Sequence, residues 1–298
     1  DPGLPLYRLE AKNKNTSNIC SFFLEKSLRL AKYVALVFPK FLLNTPEFST
    51  TRAELAQKSV DAILDFGEKG FPGILVETIA IFINNRAAPA NTKVFSLTHR
   101  LHLTQPQAYI FDPELPYWII YRNQLFDSVC RKLDFDVFEV FRDRQLTNKL
   151  LSSSGELRVL KSRNLSDDGK AILDIPGYDS YISYAAAKPL SVFQYLDAPN
   201  VYLTPNMTYK PRMMKKPPHC VVNGSLAILI PKGGIVPTEK QLAYFSSEEY
   251  RAFYQIARNF QTRSLNVDAC SVFFYGLLRD EAKPAPEKFD TSVQLSFL

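Results

Sequence analysis

Glycine is scarce in this sequence, 11 residues in 298, and histidine is scarcer, at 3. Few glycines leave few tight loops in which a backbone can close on a phosphate, so an enzyme built on several such loops is a poor fit. The histidines are His99, His102 and His219. The first two stand three apart, but no acid or cysteine close by completes a metal site. Cysteine occurs four times, at Cys20, Cys130, Cys220 and Cys270, with no Cys-x-x-Cys pair. That excludes a zinc ribbon, argues against a disulfide framework and makes a reducing cytoplasm the expected location. No apolar run approaches the roughly 20 residues of a membrane-crossing helix. Asp1-Pro2-Gly3 does not open a basic-then-apolar stretch, so no leader peptide is expected. Neither a Gly-x-Ser-x-Gly elbow nor a P-loop occurs.

Aromatic residues, in contrast, are plentiful: 22 phenylalanines and 15 tyrosines. Hydrophobic residues make up 46% and charged residues 22%, a balance that excludes disorder. At roughly 150 residues per domain the chain accommodates about two. Its net charge of +6 is unevenly spread. From Pro199 to Lys240 the basic residues are Lys210, Arg212, Lys215, Lys216, Lys232 and Lys240, against the single acid Glu239. Such a cluster is the footprint expected for a phosphate backbone, because each neutralised phosphate releases counterions. Tyr202 and Tyr209 interleave with it. A solvated basic loop is the competing reading.

Along the chain, Ile19, Phe22, Phe23 and Leu30 share one face of a predicted helix over Asn18 to Lys32. Tyr33 to Phe38 is a continuous apolar run ended by Pro39, as in a strand covered on both faces. A helix over Thr51 to Lys58, a strand over Val60 to Phe66, a turn over Gly67 to Gly73 and a strand over Ile74 to Ile83 follow. This is part of an open α/β sheet ending in a hairpin. Asn85 to Asn91 reads as a linker. Beyond it the pattern becomes α+β. Strands are expected at Lys93 to Leu97, Trp118 to Tyr121, Val221 to Pro231 and Ser271 to Tyr275, and helices at Asn123 to Leu133 and Val137 to Leu151. A capping box Ser246-x-x-Glu249 opens a further helix. The expected division is 1–86, 87–283 and a loose tail at 284–298.

Gly67, Gly70 and Gly73 imitate a dinucleotide-binding loop, but Pro72 and the strand after it leave no helix N-terminus for a pyrophosphate. Phe71 is the odd residue of that turn. An aromatic between glycine and proline either packs back onto the sheet or waits for a ligand.

The order of segments resembles the middle and end of the TaqI-type N6-adenine DNA methyltransferases. The resembling segments are Asn18 to Leu30, Val37-Phe-Pro-Lys-Phe-Leu-Leu43, Thr51-Arg-Ala-Glu-Leu55 and the turn Phe71-Pro72-Gly73 with the residues up to Thr78. Thr204 to Arg212, Val222-Asn-Gly-Ser225 and Tyr244 to Ser264 resemble the target-recognition region of restriction-modification methylases. The resemblance implies a Rossmann-like partial methyltransferase sheet (its C-terminal strands with a hairpin), followed by an α+β target-recognition domain. It implies that Phe71, with Pro72, stacks on an adenine turned out of duplex DNA. Stacking returns roughly 1–3 kcal/mol of the unpairing cost.

The family's glycine-rich loop for S-adenosylmethionine, its acidic ribose partner and its Asn/Asp-Pro-Pro-Tyr/Phe loop have no counterpart in the sequence. The chain alone is therefore expected neither to bind S-adenosylmethionine nor to turn over, and to need the catalytic half or a partner subunit that carries them. Within the recognition region Tyr209, Lys210, Arg212, Lys215 and Lys216 are candidates for phosphate contact. Asn206, Asn223, Ser225 and Arg263 are candidates for base-edge or backbone contact. Two other readings stay open: a non-catalytic nucleic-acid-binding specificity subunit, and a protein-interaction scaffold whose basic loop meets an acidic partner.

Overall fold

The computed structural model describes residues 3–73, 75–261 and 266–280. They form two units, one within residues 3–126 and 256–261, the other within 127–255 and 266–280. No helix among the described residues is long and apolar enough to cross a membrane.

In the first unit α1 (Leu4–Glu10) and α2 (Ile19–Leu30) precede β1 (Tyr33–Pro39). Then come α3 (Ser49–Ala56), β2 (Ser59–Gly67), β3 (Thr78–Asn84), β4 (Asn91–Ser96), β5 (Leu101–Pro106) and the short α4 (Gln107–Ile110). The five strands make one sheet in the order β1-β3-β2-β4-β5. All neighbours run antiparallel except the parallel pair β2 and β4. Asn18 starts α2 by accepting the Cys20 amide. Glu25 of the same helix is buried and accepts the Lys12 and Asn13 amides at 2.7 and 3.0 Å, fastening the chain ahead of the helix. Leu42, Leu43, Phe48, Leu55, Val60, Ile63, Ile79 and Ile81 are fully buried in this unit. Each contributes roughly 1.5–3 kcal/mol by leaving water.

Three expectations for this unit are corrected. β1 is covered on one face only: Val34 and Phe38 are buried while Tyr33, Ala35 and Val37 are exposed. The uncovered face continues onto the neighbouring strand β3, where Phe82, opposite Ala35, is exposed too. The segment expected as a linker, Asn85 to Asn91, is a short connection inside the sheet, because β4 returns to pair with β2. Trp118 to Tyr121 is buried but is not a strand. The Asn259 side chain serves as its pairing partner, accepting the Ile120 amide and donating to the Trp118 carbonyl, at 2.9 and 2.7 Å. Asn259 reaches this position from left-handed backbone, φ 50°.

The chain passes between the units within α5 (Gln124–Lys132) and again within α8 (Glu248–Ala257). The second unit contains β6 (Leu133–Asp134), β7 (Phe138–Phe141), β8 (Leu157–Leu160), β9 (Ser180–Ile182), α6 (Tyr184–Ala187) and β10 (Tyr202–Pro205). After these come β11 (Met214–Lys215), β12 (Cys220–Val222), β13 (Leu226–Pro231), α7 (Glu239–Tyr244) and β14 (Leu277–Leu278). They form three small sheets, β11-β10-β13-β7, β12-β8-β9 and β14-β6. Val159, Leu160, Ile182, Leu203, Val221, Leu226 and Ile228 make the apolar core between the first two.

Here too the structure departs from the periodicity. Val137 to Leu151 is not a helix: Phe138–Phe141 is the strand β7, paired with β13. Asp143 then turns the chain by accepting the Gln145 and Leu146 amides. Val221 to Pro231 is two strands in different sheets, divided where the Leu226 amide closes a turn on the Asn223 carbonyl. Ser271–Phe274 is a 3-10 turn, not a strand. The cap of α8 is Ser247, which accepts the Tyr250 amide. Ser246 donates instead to the Asp168 carbonyl, and Glu249 pairs with Lys132. The whole is a mixed α/β protein with several sheets.

Candidate functional site

The basic segment of the second unit does not present all of its charge to solvent. Lys215 and Lys210 are exposed, and Lys210 pairs with Asp167 at 2.8 Å, a contact that holds the Asp167 carboxyl below its usual range. Tyr209 is 53% exposed beside them. Arg212 and Lys216 are buried, contrary to the expectation that they face phosphates. Arg212 donates to the carbonyls of Lys210, Ser162 and Leu165. Lys216 donates to those of Leu196 and Pro217. Burial pulls both side chains below their ordinary pKa. A cation held by several carbonyls inside the fold joins loops; it cannot also reach a duplex.

The expected base readers are likewise occupied in the fold. Asn206 is buried, with Nδ2 donating to the Gly224 carbonyl and to Asn266 Oδ1 while its Oδ1 accepts the Val267 amide. Asn223 Oδ1 accepts both the amide and the hydroxyl of Ser225. The Ser225 hydroxyl in turn accepts the Ser162 amide. These three build the turn ahead of β13. Arg263 lies outside the described residues.

A second place, which the sequence reading missed, lies in the first unit at the C-terminal end of β2. Gly67 takes the left-handed region, φ 56°, and a Cβ there would meet Thr98 Oγ1 at 2.2 Å. Only glycine lets the turn pass so close to the loop after β4. The turn's Gly67, Glu68 and Lys69, together with Thr98, His99, Lys40, Glu77 and Phe260, line a cavity of about 290 Å³. Phe71 stands on the same turn, 45% exposed, and Leu75 and Val76 beyond it are exposed as well.

Behind the cavity is an ion pair. Lys40 Nζ lies 2.7 Å from Asp65 Oδ2, with the two side chains 2% and 0% exposed. The buried Tyr121 hydroxyl donates to the same oxygen at 2.5 Å. Burial, with the neighbouring Asp65 charge, raises the Tyr121 pKa far above its ordinary value, so Tyr121 is a neutral donor. His99 rests 4.6 Å, ring to ring, from Phe260, and Tyr121 meets Phe260 edge-on at 5.2 Å. Partial burial lowers the His99 pKa and the Lys40 charge lowers it further, with Asp65 opposing. The signal available in the sequence was Asp65 itself, an acid interrupting an apolar strand.

The 67–73 turn does not cradle a phosphate in the manner of a dinucleotide-binding loop. The glycines of the 67–73 turn are followed by β3, and no helix begins there to direct amides at a ligand. Among the described residues no group of His, Cys, Asp and Glu is arranged to hold a metal ion.

No family model matches the sequence, and no curated protein matches it. Solved structures do. The type IIL restriction-modification enzyme MmeI, determined in complex with DNA, is 10% identical over 92% of this chain with a TM-score of 0.50. The type IIG restriction endonuclease BpuSI is 9% identical over 93%, with a TM-score of 0.38. The chain spans 43% and 45% of the length of these two, less than half of each. The likeness to MmeI is one of fold.

Proposed function

We propose that this chain is the DNA-recognition and base-presenting portion of a site-specific adenine-N6 DNA methyltransferase of a restriction-modification system. The observation that carries the reading is the exposed Phe71 on the glycine turn whose Gly67, Glu68 and Lys69 line a cavity together with His99 and Phe260. An aromatic face in such a place can receive a base turned out of its stack, which costs a few kcal/mol to extrude. The fold shared with a restriction-modification enzyme, and the order of the segments that resemble adenine methyltransferases, support it. The methyl donor would be S-adenosylmethionine, held by residues other than those described. The exposed Lys210, Lys215 and Tyr209 would contact the duplex backbone, and Asn206, Asn223 and Ser225 would act by shaping the turn beside β13.

Duplex binding should weaken steeply with salt in a gel-shift titration. Replacing Lys210 and Lys215 by Gln together should reduce the slope of log K against log salt by about 1.8, roughly 0.9 for each lost phosphate contact. Arg212→Gln and Lys216→Gln should instead lower thermal stability and leave the slope unchanged. An undiminished slope in the Lys210, Lys215 double variant would place the duplex elsewhere. Methylation of the duplex on adding a polypeptide that carries an Asn-Pro-Pro-Tyr loop would distinguish this reading from a non-catalytic specificity subunit.

A further inference from the structure

The walls of the first-unit cavity come from five separate stretches of chain; one holds Lys40 of a buried ion pair, and the other four are tied to that pair. The Gly67 amide, at the start of the turn that carries Phe71, donates to Asp65 Oδ1 at 2.8 Å. The Leu97 amide, at the root of the loop that carries Thr98 and His99, donates to the Asp65 carbonyl at 2.9 Å. Asp65 Oδ2 holds Lys40 and Tyr121. Lys40 passes the connection on through its backbone: its amide donates to the Glu77 carbonyl at 2.8 Å, and its carbonyl accepts Gln261 Nε2 at 2.9 Å. Gln261 follows Phe260, whose left-handed backbone, φ 53°, turns its ring towards His99 and Tyr121.

We infer that Asp65 is the positioning residue of this cavity, its carboxylate setting through Lys40, Tyr121 and the Gly67 amide where the Phe71 turn and Phe260 stand around a planar ligand. This deepens the proposed function, since the ligand is the base that reading assigns. The carboxylate touches no ligand; it acts through the walls. A water-excluded carboxylate suits the task because charge-assisted hydrogen bonds are short and directional, and three of them, from Lys40, Tyr121 and the Gly67 amide, converge on the Asp65 carboxylate. A cavity whose walls are held by one group is rigid only while that group keeps all its partners, and a small displacement of a positioning wall weakens capture disproportionately.

The test uses the full chain and two readouts. The first is the imidazole titration of His99 by NMR, its signal assigned by loss in His99→Gln. Lys40, Asp65, Glu68, Lys69, Glu77 and Tyr121 are the titratable groups around the cavity that His99 lines. In the wild-type chain His99 should titrate below the ordinary imidazole range. Asp65→Asn removes the opposing anion and should lower the His99 midpoint further. The second readout is the fluorescence of a duplex with 2-aminopurine opposite an abasic site, where extrusion is cheap. Asp65→Asn should weaken base capture by about tenfold to a hundredfold while leaving affinity for an unmodified duplex unchanged. Tyr121→Phe, which removes one donor and no charge, should show a smaller loss in the same direction, and it decides the matter if Asp65→Asn does not fold.

A folded Asp65→Asn with an unmoved His99 midpoint overturns the inference, as does full base capture in a folded Asp65→Asn. If 2-aminopurine responds equally to wild type and Phe71→Ala, the base-binding reading falls. The His99 midpoint then still decides whether Asp65 governs the cavity.

Discussion

Lys40→Met should destabilise the first unit by about 3–5 kcal/mol, the cost typical of stripping the partner from a buried charge. Lys40 and Asp65 are almost wholly removed from solvent, 2.7 Å apart, so water cannot replace the ammonium once it is gone. Tyr121 and the Gly67 amide would remain as the donors to a carboxylate left with its full charge. Urea unfolding can follow this unit specifically. The sole tryptophan, Trp118, is buried within it and stacks on Phe111 at 3.6 Å, so its fluorescence reports the unit's unfolding. The companion variant, Lys40→Met with Asp65→Asn, should recover part of the loss, because a neutral amide can still accept the Gly67 amide and leaves no orphaned charge. A midpoint shift equivalent to less than about 1 kcal/mol, the value for exposed pairs, would show that the pair is solvated in the working protein.

Phe71→Ala should leave folding intact and remove base capture. At 45% exposure the ring has little core to lose, whereas truncating a fully buried phenylalanine such as Phe48 should cost about 3–5 kcal/mol. If the ring stacks on an extruded adenine, its removal costs roughly 1–3 kcal/mol, about tenfold to a hundredfold in the population of the extruded state. In an enzyme reconstituted with the polypeptide carrying the Asn-Pro-Pro-Tyr loop, the variant should keep its melting temperature and its affinity for ordinary duplex. Its methylation rate should fall, along with the fluorescence rise of 2-aminopurine at the target position. Phe71→Trp should retain both, since stacking asks only for an aromatic face. A drop of several degrees in melting temperature with a normal 2-aminopurine signal would assign the ring to packing.

Which parts of the molecule were legible beforehand follows from the range of the forces involved. The helix at Ile19–Leu30 and the strands at Ser59–Gly67 and Asn91–Ser96 follow from local periodicity. The turn over Gly67 to Gly73 follows from glycine and proline alone. Phe138–Phe141 fits either period because Phe138, Val140 and Phe141 place apolar side chains at both spacings, and the choice is made by pairing with β13, far away in sequence. Trp118 to Tyr121 was misread for a related reason: its polar partner, Asn259, lies about 140 residues on.

The same distinction separates the two candidate sites. Composition and order alone determined that the chain is a mixed α/β protein without an apolar run of membrane length, that a basic stretch lies between Pro199 and Lys240, and that Phe71 stands in a glycine-lined turn. Charge can be counted along a sequence, but its exposure cannot. Only the tertiary structure decided that Arg212 and Lys216 turn inward to carbonyls while Lys210 and Lys215 remain outside. Only the tertiary structure brought Lys40, Asp65, Tyr121, His99 and Phe260 around one cavity. They come from five places spread over more than two hundred residues; the cost of a carboxylate that has left water holds Lys40 and Tyr121 to Asp65, and ring contacts bring His99 and Phe260 to Tyr121.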